Sequence, residues 1–510
     1  MPAKAKPAKP RILIVTPEIT YLPVGMGNMT QRMSAKAGGM ADVSASLVSA
    51  LFELGADVHV ALPNYRRMFQ GDIFDLHDKE LRKYHEVLPD THIHLAEDRI
   101  FYYRDQVYSN HNEESMRIAL VFQREVINHI IPRVRPDLIH CNDWMTALIP
   151  GMARRRGIKS LFTVHNIHTR QVSLAQIEEA GIDAAEFWMN LFFCGHPVNY
   201  YHARSHVPVD LLTSGIFAAH YINTVSPRFL WEIVEGWHSV VPDSVRNELR
   251  NKYFAGCSAG ILNAPDVSYD PATDDSLARN FTVRDVMEGK AANKLALQRE
   301  LQLKQDVNAP VFFWPSRLDP VQKGPQLLTD MVVANGPHQQ WFDSIVSTFD
   351  LSDRVSVVDF DERLSRLAYA GSDFMLMPSL FEPCGLPQMT SPLYGSLPVV
   401  HATGGLYDTI RQLDVDHSQG NGFRFDHYSP DGLRWAIDRA MDFHALPADI
   451  REREIRRVMT ESAREFSHQE VARRYIEIYE QMLERPLVET ESGEVIKAIA
   501  EGLVEARPEV

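Results

Sequence analysis

Ser379-Leu-Phe-Glu-Pro-Cys-Gly-Leu-Pro-Gln388, followed by Leu397-Pro-Val-Val-His-Ala-Thr-Gly-Gly-Leu406, decides how this chain folds. The apolar run 374–378 leads into a turn that carries one carboxylate, Glu382. A second apolar run, 398–402, opens into Thr403-Gly404-Gly405. The order reads strand, loop, helix, strand, glycine turn, helix, which is the pattern of an open parallel sheet. Ligands of such sheets sit at the carboxyl ends of the strands. Glu382 and the glycine pair are therefore expected to face one crevice. Glycines let backbone N–H groups approach an anion, and a helix start adds partial positive charge. The expectation is a carboxylate for sugar hydroxyls beside a cradle for phosphate.

A second glycine turn lies near the other end of the chain. Lys36-Ala-Gly-Gly-Met-Ala-Asp42 follows the apolar run Arg11-Ile-Leu-Ile-Val-Thr16. Behind it Val43, Leu47, Leu51 and Leu54 recur at helical spacing. Gly55 suits a helix stop, and 58–62 reads as the next strand. This is a βαβ unit with a cation at the entrance to its glycine turn. Further strands are expected at 138–141, 160–164 and 221–225, then at 311–314, 355–360, 374–377 and 398–402.

Composition narrows the class. A chain of 510 residues makes two large domains the natural expectation. Hydrophobic residues at 45% and charged residues at 23% are ordinary for a globular protein. A net charge of −15 argues against nucleic acid or an anionic membrane as partner. Cys141, Cys194, Cys257 and Cys384 are scattered, so no disulfide framework and no thiolate zinc site is indicated. No apolar run reaches transmembrane length, and the first ten residues lack the apolar core of a signal peptide. A cytoplasmic location is the expectation. The expected organisation is a disordered tail at 1–10, a first α/β domain at 11–263 and a second at 264–466. The Pro- and Asp-rich stretch 264–274 reads as their connection. Ser467 then N-caps a helix over 467–484 with an apolar stripe of Val471, Tyr475, Ile478, Tyr479 and Met482. The tail 485–510 is loose or carries a short amphipathic helix around 495–503.

The motifs resemble a known family. Lys-x-Gly-Gly near the N-terminus, with Glu-Pro-Cys-Gly-Leu and Thr-Gly-Gly-Leu near the C-terminus, is similar to the bacterial glycogen synthase and plant starch synthase family. His140-Cys-Asn-Asp-Trp144, Phe162-Thr-Val-His-Asn166, Asn223-Thr-Val-Ser-Pro227, Gly260-Ile-Leu-Asn263 and Asp270-Pro-Ala-Thr-Asp274 follow in the family's order. Ser316-Arg-Leu318 with Gln322-Lys-Gly324 completes the series. The resemblance runs from about Arg11 to Leu483. It implies a GT-B fold, two Rossmann-like domains facing each other across a deep cleft, with hinge closure on donor binding and the helix 467–484 crossing back to the first domain. It also implies a retaining hexosyltransferase that moves glucose from ADP-glucose or UDP-glucose to the non-reducing end of an α-1,4-glucan. A related transferase with a small acceptor, or a catalytically silent glucan-binding homologue, are the alternatives.

The resemblance also implies roles. Arg317 and Lys323 hold the departing diphosphate, with Lys36, Gly38, Gly39, Thr403, Gly404 and Gly405. Cys384, Gly385 and Leu386 line the donor, and Phe360 stacks on its base. Glu382 holds the glucose and stabilises an oxocarbenium-like transition state. His165 either touches the transferred sugar through its imidazole or supports the reacting centre through its backbone. Asp42, Asp143 and Asn166 face the acceptor, and Asp143 is the alternative nucleophile. No cofactor and no metal is implied, because Arg and Lys supply the counter-charge. Cys194, His196, His202 and His206 match no standard zinc spacing and read as groove lining. His92-Ile-His94 reads as an exposed strand face. The oligomeric state is left open. The chain departs from the family at an insertion over 21–34, expected at the rim of the cleft. It departs also at Ile167-His-Thr-Arg-Gln171, at Ala264 after Asn263, and at Thr390, where the wider superfamily has a second acid.

Overall fold

The structure is a computed structural model that describes residues 9–27, 30, 33–69, 92–109, 111–316, 322–329, 344–359 and 361–487. Arg317, Phe360 and the expected helix at 495–503 lie outside them. The chain divides into two compact units, one of 1–223, 240–259 and 471–510, the other of 224–239 and 260–470.

A seven-stranded sheet organises the first unit, in the order β3-β2-β1-β4-β5-β8-β9. Its strands are β1 Arg11–Val15, β2 Asp57–Pro63, β3 Ile93–Ala96, β4 Leu138–Asn142, β5 Lys159–Val164, β8 Tyr221–Thr224 and β9 Ser258–Gly260. Two short strands, β6 Gln171–Val172 and β7 Val209–Asp210, form a separate antiparallel pair. β1 runs parallel to both neighbours, with Ile12 beside Val58 of β2 and Leu138 of β4. Ile12 to Val15 have no solvent exposure. A central parallel strand is covered on both faces, which is why it reads as an unbroken apolar run. The order reverses between β1 and β4, so the crevice of this unit opens at their carboxyl ends. The helix Gly39–Glu53 buries Val43, Leu47 and Leu51 and stops before Gly55, at φ 74°.

The helix His468–Leu483 belongs to the first unit from Val471 onward. A buried polar chain bolts it there. Tyr479 Oη lies 2.7 Å from His140 Nδ1, His140 Nε2 lies 2.6 Å from Thr163 Oγ1, and Thr163 donates to Asn223 Oδ1 at 2.6 Å. Asn223 Nδ2 then donates to Tyr475 Oη at 3.0 Å. Thr163 spends its proton on Asn223, so His140 must donate from Nε2 and accept the Tyr479 hydroxyl at Nδ1. That tautomer is neutral, in keeping with burial that lowers the His140 pKa to about 3.

The second unit holds a parallel sheet of four strands, β10 Phe312–Phe313, β11 Phe374–Met377, β12 Leu397–His401 and β13 Phe423–Phe425, in that order. Its core joins Phe374, Met375, Val399 and Val400 to Leu406, Leu433 and Ala436.

Four expectations change. Residues 355–359 form no strand, and Val355 and Val358 are 38% and 53% exposed, so they are not sheet interior. The stretch 264–274 is not a free linker. Tyr394 donates to Asp274 Oδ2 at 2.6 Å and Arg366 lies 3.3 Å from it. The segment 224–239 joins the second unit rather than the first, through the helix Pro227–Val234. His94 is buried rather than exposed, because it bonds to His59. The described part of the 21–34 insertion packs inward through Leu22, Met26, Thr30 and Met33, with Val24 in solvent.

Candidate active site

In the second unit, β11 delivers Ser379 and Glu382 just past its carboxyl end. Glu382 is 5% exposed. Its Oε2 accepts the Lys323 ammonium at 2.6 Å and the Ser379 hydroxyl at 3.1 Å. The Lys323 loop is tied to this turn by Leu380 N–H donating to Gln322 O at 2.8 Å. His401, at the end of β12, donates from Nδ1 to Ser379 O at 2.8 Å. The carboxylate predicted for the sugar and the cation predicted for the diphosphate are therefore one ion pair on a braced turn.

The glycine turn is pressed against that turn. Gly404 has φ 44°, and a Cβ there would lie 2.0 Å from Glu382 O. A Cβ on Gly405 would lie 2.0 Å from Cys384 O, and Gly405 N–H donates to Glu382 O at 3.0 Å. Glycine is required because two backbones touch. The Gly404 amide is also taken, by the Glu232 carboxylate at 3.1 and 3.2 Å, with Thr403 Oγ1 donating to Glu232 at 3.0 Å. Burial alone would raise the Glu232 pKa, but His238 and Arg228, at 2.8 and 2.9 Å, hold it below the usual carboxylate range. The expected phosphate cradle of Gly404 and Gly405 is thus already satisfied from within. These amides shape the Glu382 turn. Among the described residues, no acceptor takes the amides of Gly385 and Leu386, which directly follow it. Cys384 is buried and accepts Asn263 N–H at 3.4 Å; burial pushes its thiol up to about 12, so it is no nucleophile. Thr390 donates to Leu386 O at 3.1 Å and serves its own helix.

In the first unit the carboxyl ends of β1, β4 and β5 deliver Glu18, Asp143 and His165. Glu18 accepts the amides of Ala37 and Gly38 at 2.6 and 2.9 Å and the Tyr108 hydroxyl at 3.2 Å. It braces the Lys36–Gly39 turn, and burial pushes its pKa up to about 7. Lys36 pairs with Asp42 at 3.1 Å, and Thr20 donates to Asp42 at 2.5 Å. Asp42, expected on the acceptor side, is 4% exposed and instead holds the cation. Asp143 sits at φ 61° and ψ 178°, a region for glycine. Burial pushes its pKa up to about 8 against the amides of Asn166 and His165. Burial thus favours the protonated form, which makes it a poor nucleophile in the free protein. His165 Nε2 lies 2.9 Å from Asn142 Oδ1, while Asn142 Nδ2 donates to Val15 O at 3.1 Å. Asn142 therefore presents its oxygen, and His165 donates from Nε2. Burial lowers its pKa to about 4, so the imidazole is neutral with Nδ1 unprotonated. Asn166 spends Oδ1 on the amide of Ile167 at 2.7 Å.

Sequence reasoning missed Glu18, Tyr108 and Glu232. Glu18 carried a signal, as a carboxylate directly past the end of β1. Glu232 carried none, because its partner turn is far away in sequence. Among the described residues, Cys194, His196, His202 and His206 do not gather as a metal cluster; the one such group is Asp57, His59 and His92. His202 and His206 stack their rings 5.5 Å apart.

Comparison with known proteins places this geometry. The starch synthase catalytic domain family model matches residues 11–241. A glycogen synthase of Moorella thermoacetica is 34% identical, covering 94% of this chain and 98% of its own length. One of Exiguobacterium sibiricum is 33% identical, covering 81% and 90%. The chain belongs to the glycogen synthase and starch synthase family. It is a glycosyltransferase of the GT-B class, built on two Rossmann-like units. The catalytic domain of starch synthase IV from Arabidopsis thaliana, bound to ADP and acarbose, superimposes with a TM-score of 0.73 at 25% identity, covering 94% of this chain and all of that one. Among the described residues, no helix is long and apolar enough to cross a membrane.

Proposed function

We propose that this family member transfers glucose, with retention, from ADP-glucose or UDP-glucose to the non-reducing end of an α-1,4-glucan, in the cytoplasm. The observation that carries the reading is the Lys323–Glu382 ion pair braced at the end of β11. Lys323 is held by a carboxylate until the donor arrives. Charge on the leaving diphosphate grows as the glycosidic bond breaks, so the ammonium binds the transition state more tightly than the ground state. Arg317 supplies the second cation. Glu382, released in part from Lys323, holds glucose hydroxyls and offsets positive charge on the ring.

Retention by double displacement would need an ionised carboxylate nucleophile beside an acid. Burial raises the Asp143 pKa and disfavours the ionised nucleophile that this route needs, so front-face displacement fits better, with the leaving phosphate taking the acceptor proton. Lys36 with Gly38 and Gly39 completes the donor site. His165 presents its unprotonated Nδ1 to the sugar. Asp143 and Asn166 serve the acceptor.

The ADP-bound plant relative makes ADP-glucose the first donor to try. Purified protein should incorporate glucose from one of the two donors into primer glycogen with the anomeric configuration kept. Transfer to monosaccharides or sugar phosphates in preference to glycogen would overturn the acceptor, and no transfer from either donor would overturn the reading.

A further inference from the structure

A histidine cluster sits at the opposite end of the first sheet from Glu18, Asp143 and His165. β2 and β3 run parallel, with Val60 beside Ile93, so His59 and His92 are neighbours across the ladder. Asp57 lies two residues before His59 and shares its face, as His94 shares the face of His92. β3 is the last strand of the sheet. Three donor atoms, one each from Asp57, His59 and His92, lie within 4.8 Å of one another. His59 Nε2 is 3.0 Å from Asp57 Oδ1, and His92 Nε2 is 3.7 Å from the same oxygen. Ligand atoms around a tetrahedral zinc ion lie about 3.3 Å apart, given bonds of about 2.0 Å.

From these contacts we propose that Asp57, His59 and His92 form a binding site for a divalent transition metal ion of the zinc type. Two imidazoles and one carboxylate are a donor set that suits zinc, with a fourth position left to water. The surroundings orient the ligands. His94 Nε2 lies 2.9 Å from His59 Nδ1. When His59 donates that Nδ1 proton to His94, its Nε2 lone pair points at the Asp57 oxygen. Two lone pairs face each other there, and a cation between them resolves the clash. An outer hydrogen bond that fixes the tautomer of a metal-binding imidazole is the usual supporting arrangement. Phe52 packs edge-on against His92 at 6.2 Å. Arg11 takes Asp57 Oδ2 at 3.1 Å and leaves Oδ1 for the ion. Side-chain exposures of 35% for His92 and 23% for Asp57 leave an entry path from solvent. The ion would pin the edge strand to its neighbour, away from the chemistry.

The test uses full-length protein without an affinity tag, stripped with a chelator and then given zinc chloride at neutral pH. Expected is one equivalent of zinc retained through gel filtration, by elemental analysis, and a melting temperature higher by about 2 °C or more. His92→Ala, just before the edge strand, should fold and lose the ion. His94→Gln should weaken binding about tenfold, and Cys194→Ser should change nothing. Retention of zinc by His92→Ala, loss in Cys194→Ser, or no stoichiometric zinc in the wild type would each overturn the site. In the last case a proton shared by His59 and Asp57 fills the gap instead.

Discussion

At the scale of single residues, three carboxylates near strand ends differ in how they are held. Glu382 is paired with a cation, whereas Glu18 and Asp143 are pushed toward protonation by burial, to about 7 and about 8. Glu382→Gln should therefore abolish transfer, by about a thousandfold or more, while nucleotide binding survives. Near-normal turnover in a kinetic assay would sink the role given to Glu382. Lys323→Ala should weaken donor binding and turnover together; a variant that loses only thermal stability makes Lys323 structural. For Asp143 the prediction concerns stability. Its folded pKa is raised, so its contribution is complete below the unfolded value near 3.8 and is lost as pH rises through about 8. Its φ of 61° with ψ near 180° costs about 1–3 kcal/mol in a non-glycine residue. Asp143→Gly should melt higher than wild type, and the gap should widen from about pH 4 to about pH 8, where folding of the wild type must take up a proton, and level off above, while acceptor use is lost. A pH-independent gap in calorimetry would show that the carboxyl is not held protonated. Much of this scale was readable in advance. Glu382 and the two glycine turns announced themselves as residue types at strand ends, and Lys323 through the resemblance of its motif. What stayed hidden was who pairs with whom: Asp42 with Lys36, Glu18 with the Gly38 amide, and Glu232 with Gly404.

At the scale of elements, strands buried on both faces were legible because they are short unbroken apolar runs. β1, β2, β4, β5, β11 and β12 lie where the runs lie. The stretch 355–360 has the same look, yet Val355 and Val358 face solvent. An apolar run shows that a strand is possible, and pairing decides whether it forms. The strand-end histidines are a mixed case: alternation over 92–94 suggested one wet face, and His92 keeps 35% side-chain exposure, but His94 is buried and bonds to His59. The C-terminal helix shows what a stripe conceals. Tyr475 and Tyr479 counted as apolar in the pattern, and each uses its hydroxyl in the chain through His140, Thr163 and Asn223. Tyr479→Phe keeps the ring but leaves His140 Nδ1 buried without its donor, at a cost of about 1–3 kcal/mol. Denaturant unfolding should report that loss with an unchanged slope. A change within error would mean that water replaces the hydroxyl.

At the scale of the whole molecule, sequence order and unit membership diverge. The two-domain expectation followed from length and from two sets of motifs, but the chain passes between the units more than once. Residues 224–239 join the second unit through Glu232, which reaches Thr403 and Gly404. Residues 240–259 return to the first, where Val245 and Leu249 are buried. Local periodicity cannot show such exchanges, since each is decided by contacts between segments far apart in sequence. The last return is the most consequential. From Val471 onward the chain completes the first unit, burying Tyr475, Ile476, Ile478, Tyr479 and Met482. Burial of a large apolar side chain is worth about 1.5–3 kcal/mol, so five amount to roughly 10 kcal/mol. A whole domain has only about 5–15 kcal/mol of stability. A chain ended at Glu470 should therefore fail to form a native first unit, although every motif of the family remains in it. Circular dichroism melts and limited proteolysis should show cleavage within 11–223 and a protected fragment from 260 onward. Equal protection of both units would mean that the first sheet is stable without its C-terminal helix, and that the buried tyrosine–histidine chain adds nothing the core does not already provide.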